Sequence, residues 1–232
     1  MRRAAFSSDE VGLCCGKVPY DGEKRQNGLD WPWLGYSMIG ARRMDQLQWS
    51  LETLLREDVK GDLLEAGVWR GGAGMLMKAI LRARDDNSRT VWLADSFQGL
   101  PRPMTEADGP DWSTLDYFAV TADQVRANFD WFGLWDERVR LLPGWFSESL
   151  PTAPIEKLAL LRLDADLYHS TMDVLTHLYP RVSDRGFVIV DDYGTLPACR
   201  RAVEDFLSAR GESPQIIDID GSGVYWRKSG LG

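Results

Sequence analysis

Residues 61–81, GDLLEAGVWRGGAGMLMKAIL, decide the fold of this chain. Residues 62–65 predict a short strand, residues 67–74 predict a glycine-rich turn, and residues 75–84 predict a helix with apolar residues on one side. A strand that passes through a glycine turn into a helix is typical of the first unit of a parallel α/β sheet. Ligands of such sheets bind beyond the carboxyl ends of the strands. The segment therefore predicts a small-molecule site at the turn.

Strands and helices continue to alternate along the rest of the chain. Together they predict a doubly wound α/β sheet with helices on both faces, joined by right-handed crossovers. Apolar runs predict strands at 91–94, 139–142, 158–163, 187–190, and near 215–217 and 223–226, with helices at 171–178 and 200–207. An amphipathic helix from Ile39 to about Asp58 is expected to cover one sheet edge.

The chain has 232 residues, of which 44% are hydrophobic, enough for one large domain. We expect an N-terminal arm at 1–36 and a single domain at 37–232. Residues 101–120 are expected to form a lid, because a long aperiodic insert inside a compact domain is more often functional than not.

Composition argues against several classes of partner. The net charge of −8 and the pI near 4.9 provide no basic surface for nucleic acid or an anionic membrane. The three cysteines, Cys14, Cys15 and Cys199, form no disulfide framework, which favours a reducing cytoplasm. The sequence contains no run of 18 apolar residues, so it predicts no transmembrane helix.

The chemistry of the glycine turn favours one ligand. ExGxxxG is neither the dinucleotide fingerprint GxGxxG nor a Walker motif. The acidic Glu65 that opens the turn suits a cationic or hydroxyl-bearing ligand, which points to S-adenosylmethionine near Glu65, Gly67 and Gly71. A simple tight turn between strand and helix remains an alternative.

A second acidic residue follows the second strand. Asp95 lies where doubly wound nucleoside sites place the carboxylate that binds ribose hydroxyls, and Ser96 could add a polar contact. The alternative is a cap or turn residue, although SFQGLP, residues 96–101, does not resemble a helix start.

Four aspartates follow two further strands, in LDADLY at 163–168 and VDDY at 190–193. Neighbouring parallel strands end at the same edge, so we expect Asp164, Asp191 and Asp192 to converge around a hard cation such as Mg²⁺. Asp166 is the candidate general base, and His169 is its rival. Ordinary loop and cap chemistry is the alternative.

Several segments resemble the macrocin O-methyltransferase (TylF/MycF) family of antibiotic sugar methyltransferases. They are residues 61–81, VWLADSFQGLP, VRLLPGWFSESLP, the run from Leu158 to Phe206, and GVYWRK. The resemblance covers nearly the whole chain. It implies a class I methyltransferase sheet with an antiparallel C-terminal strand, S-adenosylmethionine and Mg²⁺ as cofactors, a deoxysugar hydroxyl of a macrolide or aminocoumarin as acceptor, and a homodimer or larger homo-oligomer.

The resemblance also assigns roles to residues of this chain. It implies Asp166 as base and Asp164, Asp191 and Asp192 as metal ligands. The cofactor residues that it implies are Glu65, Gly67, Val68, Trp69, Gly71, Asp95, Ser96, Gly144, Trp145, Phe146, Ser147 and Asp164. His169 departs from the family pattern, because an acidic residue is expected there.

Aromatic residues are expected to shape the acceptor pocket, because flat apolar faces suit sugar rings and aglycones. The candidates are Trp31, Trp33 and Tyr36 of the arm, Tyr117 and Phe118 of the lid, and Tyr193. A catechol-like acceptor is an alternative to the sugar, and a binding module without catalysis is a third possibility.

Overall fold

The computed structural model describes residues 11–13, 16–18, 20–32 and 34–229. The described residues of the arm form a short antiparallel hairpin and one helix: β1 (Val11–Leu13), β2 (Gly16–Val18) and α1 (Gly22–Asn27). The remaining elements are α2 (Gly40–Arg56), β3 (Asp62–Ala66), α3 (Gly72–Ala83), β4 (Val91–Asp95), α4 (Ala122–Trp131), β5 (Val139–Pro143), α5 (Phe146–Ser149), β6 (Leu158–Leu163), α6 (Tyr168–Leu178), β7 (Val182–Val190), α7 (Pro197–Ala209), β8 (Ile217–Asp218) and β9 (Val224–Arg227).

Seven strands form the main sheet, in the order β5-β4-β3-β6-β7-β9-β8. The first five are parallel, and β9 runs antiparallel to both β7 and β8. The chain moves outward from β3 to β5 and then returns to β6, so the order reverses between β3 and β6. Ligands bind at such a reversal in doubly wound sheets. The predicted fold class, including the antiparallel C-terminal strand, is confirmed.

Helices cover both faces of the sheet with separate apolar cores. One core packs α2, α3 and α4 against residues such as Leu63, Leu93 and Leu160. The other packs α6 and α7 against residues such as Leu161 and Val190. Neighbouring residues of a strand point to opposite faces, so the five parallel strands and β9 each contribute to both cores.

The amphipathic pattern of helix α2 led us to expect that it covers an edge of the sheet, but it does not. Its Trp49 packs edge-on against Phe187 of β7 and Tyr225 of β9, with ring centroids 5.5 and 5.7 Å apart. These strands lie inside the sheet order, so α2 covers a face there. Periodicity predicts that a helix has an apolar side, but it does not show which surface that side meets.

Helix α4 was missed at the sequence level. Thr121 accepts a hydrogen bond from the Gln124 backbone N–H, while the Gln124 side chain accepts one from the Thr121 N–H. This reciprocal pair is a capping box, and T-x-x-Q before an apolar pattern is a helix-start signal that could have revealed it.

The predicted lid contains two short 3₁₀ turns, at Glu106–Asp108 and Asp116–Phe118. Part of the predicted arm lies against the domain, where Arg25 and Asp30 form a buried ion pair at 2.8 Å. None of the helices in the described part of the chain is long and apolar enough to cross a membrane.

Candidate active site

A cavity of about 820 Å³ opens at the carboxyl ends of the parallel strands. The arm, the lid and the first turn of α6 complete its walls. The cavity is lined by eight of the predicted cofactor residues: Gly67, Trp69, Asp95, Ser96, Trp145, Phe146, Ser147 and Asp164. Its lining does not include the other four, Glu65, Val68, Gly71 and Gly144.

Gly67 brings the glycine turn against the end of β6. Its φ of +84° lies in the left-handed region, and a Cβ added there would lie 1.8 Å from the backbone oxygen of Asp164. A side chain is therefore excluded by both conformation and space. The absence of a side chain lets β3 and β6 approach closely at the point where the strand order reverses.

Asp95 ties the end of β4 to the glycine turn. Its Oδ2 accepts hydrogen bonds from the backbone N–H groups of Val68 at 2.7 Å and Trp69 at 3.3 Å, and its Oδ1 accepts from Phe97 N–H at 2.8 Å. Burial raises the pKa of Asp95, although these donors act in the opposite direction. The carboxylate also lines the cavity, so the predicted ribose contact would share oxygens that already hold the turn.

Glu65 lies beneath the cavity rather than on its wall. Its Oε2 accepts from the Gly74 N–H at 2.9 Å, in the first turn of α3, and its Oε1 accepts from Arg162 Nη1 at 2.9 Å. Both oxygens are therefore bonded to the protein. In this structure Glu65 supports the turn, and direct ligand contact by Glu65 stays a prediction.

Arg162 is a buried partner of the site's carboxylates that was not predicted from the sequence. Its side chain is 1% exposed, and its Nη2 donates to Asp164 at 3.1 Å and to Asp191 at 2.5 Å. Register explains the pairing, since Arg162 lies opposite Glu65 on one neighbouring strand and Ile189, two residues before Asp191, on the other. An arginine inside the apolar run LALLRL was the available signal.

Asp191 is held by two arginines. Arg43 of α2 donates from Nη1 to its Oδ2, while Arg162 donates to its Oδ1. Arg43 also donates from Nε to Asp220 at 2.9 Å, which connects α2 to the loop before β9. The structure therefore does not group Asp191 with the other predicted ligands as a free carboxylate.

Three other carboxylates do converge. Asp164, Asp166 and Asp192 each present an oxygen, and these oxygens all lie within 4.8 Å of one another. Burial raises the pKa of all three groups, and repulsion from neighbouring carboxylates, including that of Asp191, adds to the effect; the pKa of Asp166 is raised to about 8. Oδ2 of Asp192 is buried and accepts no hydrogen bond from the described residues. These features fit a divalent cation with oxygen ligands.

Asp166 has an unusual backbone. Its φ is +54°, in the left-handed region that non-glycine residues seldom adopt. Such conformations are concentrated at functional sites, where the surrounding structure maintains them. In this chain the turn brings Asp166 back beside Asp164 and Asp192.

The loop after β5 forms the wall beyond Asp95. The Gly144 N–H donates to the backbone oxygen of Asp95 at 3.0 Å, and Gly144 has a φ of +126°. Trp145, Phe146 and Ser147 then face the cavity. The arrangement is compatible with the cofactor-binding role that the family resemblance implies for this loop.

Aromatic side chains join the arm, the glycine turn and the lid. Trp31 stacks on Tyr117 with ring centroids 5.3 Å apart, and Trp69 Nε1 donates to the Tyr117 backbone oxygen at 2.9 Å. Trp31, Trp69 and Phe118 line the cavity directly, together with Trp112.

The other aromatic candidates lie elsewhere. Tyr36 packs edge-on against Phe132, and Tyr193 donates from its hydroxyl to Glu204 at 3.0 Å. Neither lines the cavity. Trp33 is outside the described residues.

His169 is held by the lid. Both oxygens of Asp108 lie 2.9 Å from its Nδ1, and the ring lines the cavity. His169 was predicted as the rival base, but Asp108 was not predicted from the sequence, because the pairing joins segments 61 residues apart.

Comparison with known proteins places the chain in a family. Residues 7–228 match the macrocin-O-methyltransferase (TylF) family. The chain is 49% identical over 217 residues to the 8-demethyl-8-(2,3-dimethoxy-α-L-rhamnosyl)-tetracenomycin-C 4′-O-methyltransferase of Streptomyces olivaceus, covering 90% of this chain and 83% of that protein. It is 48% identical over 215 residues to the mycinamicin III 3″-O-methyltransferase of Micromonospora griseorubida, covering 89% and 84%.

A solved structure agrees. The O-methyltransferase NovP superposes with a TM-score of 0.87 at 46% identity, over 91% of this chain and 90% of that one. Together with the cavity at the strand reversal and its carboxylates, the matches show that this chain is an enzyme and a member of the macrocin O-methyltransferase family.

Proposed function

We propose that this enzyme transfers a methyl group from S-adenosylmethionine to a sugar hydroxyl of a glycosylated natural product, with Mg²⁺ as a cofactor. The observation that carries the proposal is the group Asp164, Asp166 and Asp192, on the wall of the cavity that Gly67 and Trp145 also line. The relatives named above act on a rhamnosylated tetracenomycin and on mycinamicin III, which supports a glycoside acceptor.

The donor would occupy the part of the cavity between the glycine turn and the loop after β5. Gly67 leaves room for close approach to the backbone, and Asp95 provides a carboxylate near the ribose position. Trp145 and Phe146 offer apolar faces for a purine.

A cation is favoured by charge balance as well as by ligand type. Asp164, Asp166, Asp191 and Asp192 outnumber the two guanidiniums that reach them, those of Arg43 and Arg162. Buried carboxylates of like charge repel unless a cation compensates them. We propose that Mg²⁺ is held by Asp164, Asp192 and Asp191. Ligation by Asp191 requires its Oδ2 to exchange the Arg43 contact for the ion.

When bound, Mg²⁺ would increase the acidity of an acceptor hydroxyl. Asp166 accepts the hydroxyl proton while the oxygen–methyl bond forms and the sulfur–methyl bond breaks, which leaves S-adenosylhomocysteine. The protein then contributes mainly orientation and charge stabilisation. We also propose that the enzyme forms the homodimer or larger homo-oligomer that the family resemblance implies, and light scattering of the purified protein would test it.

Methyl transfer from labelled S-adenosylmethionine tests the proposal. Three acceptors are compared: the rhamnosylated tetracenomycin named above, mycinamicin III, and a simple catechol. We expect label in at least one glycoside and none in the catechol. Methylation of the catechol alone would support the alternative acceptor class, and no transfer to any acceptor would count against the proposed function.

A further inference from the structure

The lid supplies a cap to helix α6. The N-cap residue Leu167 has no side chain that can accept a hydrogen bond, so the first N–H groups of the helix need acceptors from elsewhere. Asp108 Oδ1 accepts from the His169 backbone N–H at 2.8 Å. A carboxylate is also favoured at the positive end of a helix. The lid and the start of α6 are thereby fixed to each other.

The same carboxylate orients the His169 ring. Both oxygens of Asp108 lie 2.9 Å from Nδ1. The Asp108 side chain is 1% exposed and also accepts from the backbone N–H groups of Met104 and Thr105 at 2.7 and 3.3 Å. Burial acts to raise the pKa of Asp108, but the bonds from His169 and these N–H groups outweigh it and lower that pKa. An ionised carboxylate only accepts hydrogen bonds, so Nδ1 of His169 donates one to Asp108.

The other ring nitrogen is left for the cavity. In a neutral ring protonated at Nδ1, Nε2 has a lone pair that accepts hydrogen bonds. The His169 side chain is 34% exposed and lines the cavity, as do Ser170 and Asp173 of the same helix. The same cavity is also lined by aromatic side chains, among them Trp31 and Trp112.

We propose that Nε2 of His169 accepts a hydrogen bond from a hydroxyl of the acceptor sugar, which makes His169 a specificity-determining residue. Asp108 is the positioning residue that fixes the ring and its tautomer. The inference rests on the proposed function, since it assigns one contact of the acceptor in that reaction. It differs from the rival role of His169 as the base, because a binding contact changes KM whereas a base changes kcat.

Two substitutions separate acceptor binding from lid anchoring. The amide of His169→Asn can take the place of Nδ1 and keep a donor to Asp108, but it removes the cavity-facing nitrogen. The longer His169→Gln side chain can place a polar atom near the Nε2 position. With a glycoside that the wild type methylates, we expect His169→Asn to raise the acceptor KM roughly tenfold, the equivalent of one lost hydrogen bond, with kcat within about threefold. We expect His169→Gln to recover part of the loss.

The control is His177→Gln, on the same helix but outside the cavity lining, which should leave KM unchanged. Affinity for S-adenosylhomocysteine should be the same in all variants. An unchanged acceptor KM in His169→Asn would overturn the inference even if the wild type transfers methyl groups. A fall in kcat at constant KM would instead assign His169 as the base.

Nitrogen NMR tests the contact without turnover. The chain has only two histidines, so ¹⁵N-histidine labelling gives two imidazoles and His177→Gln assigns them. We expect the His169 ring to be protonated at Nδ1, and we expect Asp108→Asn to reduce that preference. Addition of methyl α-L-rhamnopyranoside, together with S-adenosylhomocysteine and Mg²⁺, should shift the Nε2 resonance of His169. A ring protonated at Nε2, or an Nε2 resonance that the glycoside does not shift, overturns the inference whether or not methyl transfer is observed.

Discussion

Arg162 of β6 and Glu65 of β3 form an ion pair at 2.9 Å under the floor of the cavity, and neither side chain is more than 3% exposed. The same guanidinium also reaches Asp164 and Asp191, so the single side chain of Arg162 holds carboxylates that come from three neighbouring strands. The floor of the site is therefore a buried ionic network whose members depend on one another.

Replacing Arg162 with Met is expected to lower the free energy of unfolding by about 3–5 kcal/mol, because it leaves buried carboxylates without their partner. Urea denaturation measures the change. The matched control is Arg201→Met, which removes an exposed i,i+4 ion pair with Asp205 and should cost less than about 1 kcal/mol. Equal effects of the two substitutions would contradict the structural role of Arg162.

Substitution of the proposed ligands is expected to separate them from Asp166. Asp192→Asn and Asp191→Asn should each weaken Mg²⁺ binding at least about 100-fold in calorimetry, whereas Asp166→Asn should retain it within about tenfold. The control is Asp205→Asn on the surface. The opposite pattern, with Mg²⁺ lost in Asp166→Asn and retained in Asp191→Asn, would assign the ion to the three converging carboxylates instead. Full activity in excess EDTA would contradict any metal role.

Asp166→Asn is also expected to lower kcat by about 100-fold or more, because it removes the proposed proton acceptor. Single-turnover kinetics with saturating S-adenosylmethionine and Mg²⁺ measures the chemical step. An unchanged rate would transfer the proton to solvent or to His169.

The stability of the metal-free protein should depend on pH through Asp166. Burial and then the neighbouring Asp164 raise its folded-state pKa to about 8, whereas its unfolded pKa is about 3.9. Between these values the folded state binds more protons than the unfolded state, so stability falls as the pH rises from about 4 to about 8. Denaturation with EDTA should show this fall, and Asp166→Asn or added Mg²⁺ should reduce it. The assigned pKa would be contradicted if the free energy of unfolding of the metal-free wild type rose between about pH 4 and about pH 8 while that of Asp166→Asn did not.

Gly67→Ala should abolish folding or cofactor binding, because the new Cβ would lie 1.8 Å from the Asp164 backbone oxygen. Gly221→Ala is the control for backbone conformation alone. Gly221 has a φ of +87°, close to the +84° of Gly67, but no atom of the described residues lies within 4 Å of its added Cβ. We expect Gly221→Ala to cost only about 1–2 kcal/mol. Thermal unfolding of both variants measures the difference, and similar melting temperatures would show that the contact with β6 is not tight.

The sequence by itself determined those strands and helices that are marked by apolar periodicity or by a glycine turn. The apolar run before Gly67 predicted β3, and the alternation after it predicted a parallel sheet, because periodicity and glycine turns act over short distances. Placing Asp164 and Asp192 at one edge followed from the geometry of parallel strands, and the structure brings them together.

Tertiary structure decided which carboxylates are free and which are paired. Asp191 and Asp192 are adjacent in sequence, yet the arginines of α2 and β6 engage Asp191, whereas Oδ2 of Asp192 accepts no hydrogen bond within the described part of the chain. The pairing of His169 with Asp108 also joins distant segments. Such contacts depend on strand register and on which face a helix covers. The packing of the whole chain fixes both the strand register and the face that a helix covers. The chemistry of residues that are adjacent in the sequence therefore could not reveal these contacts.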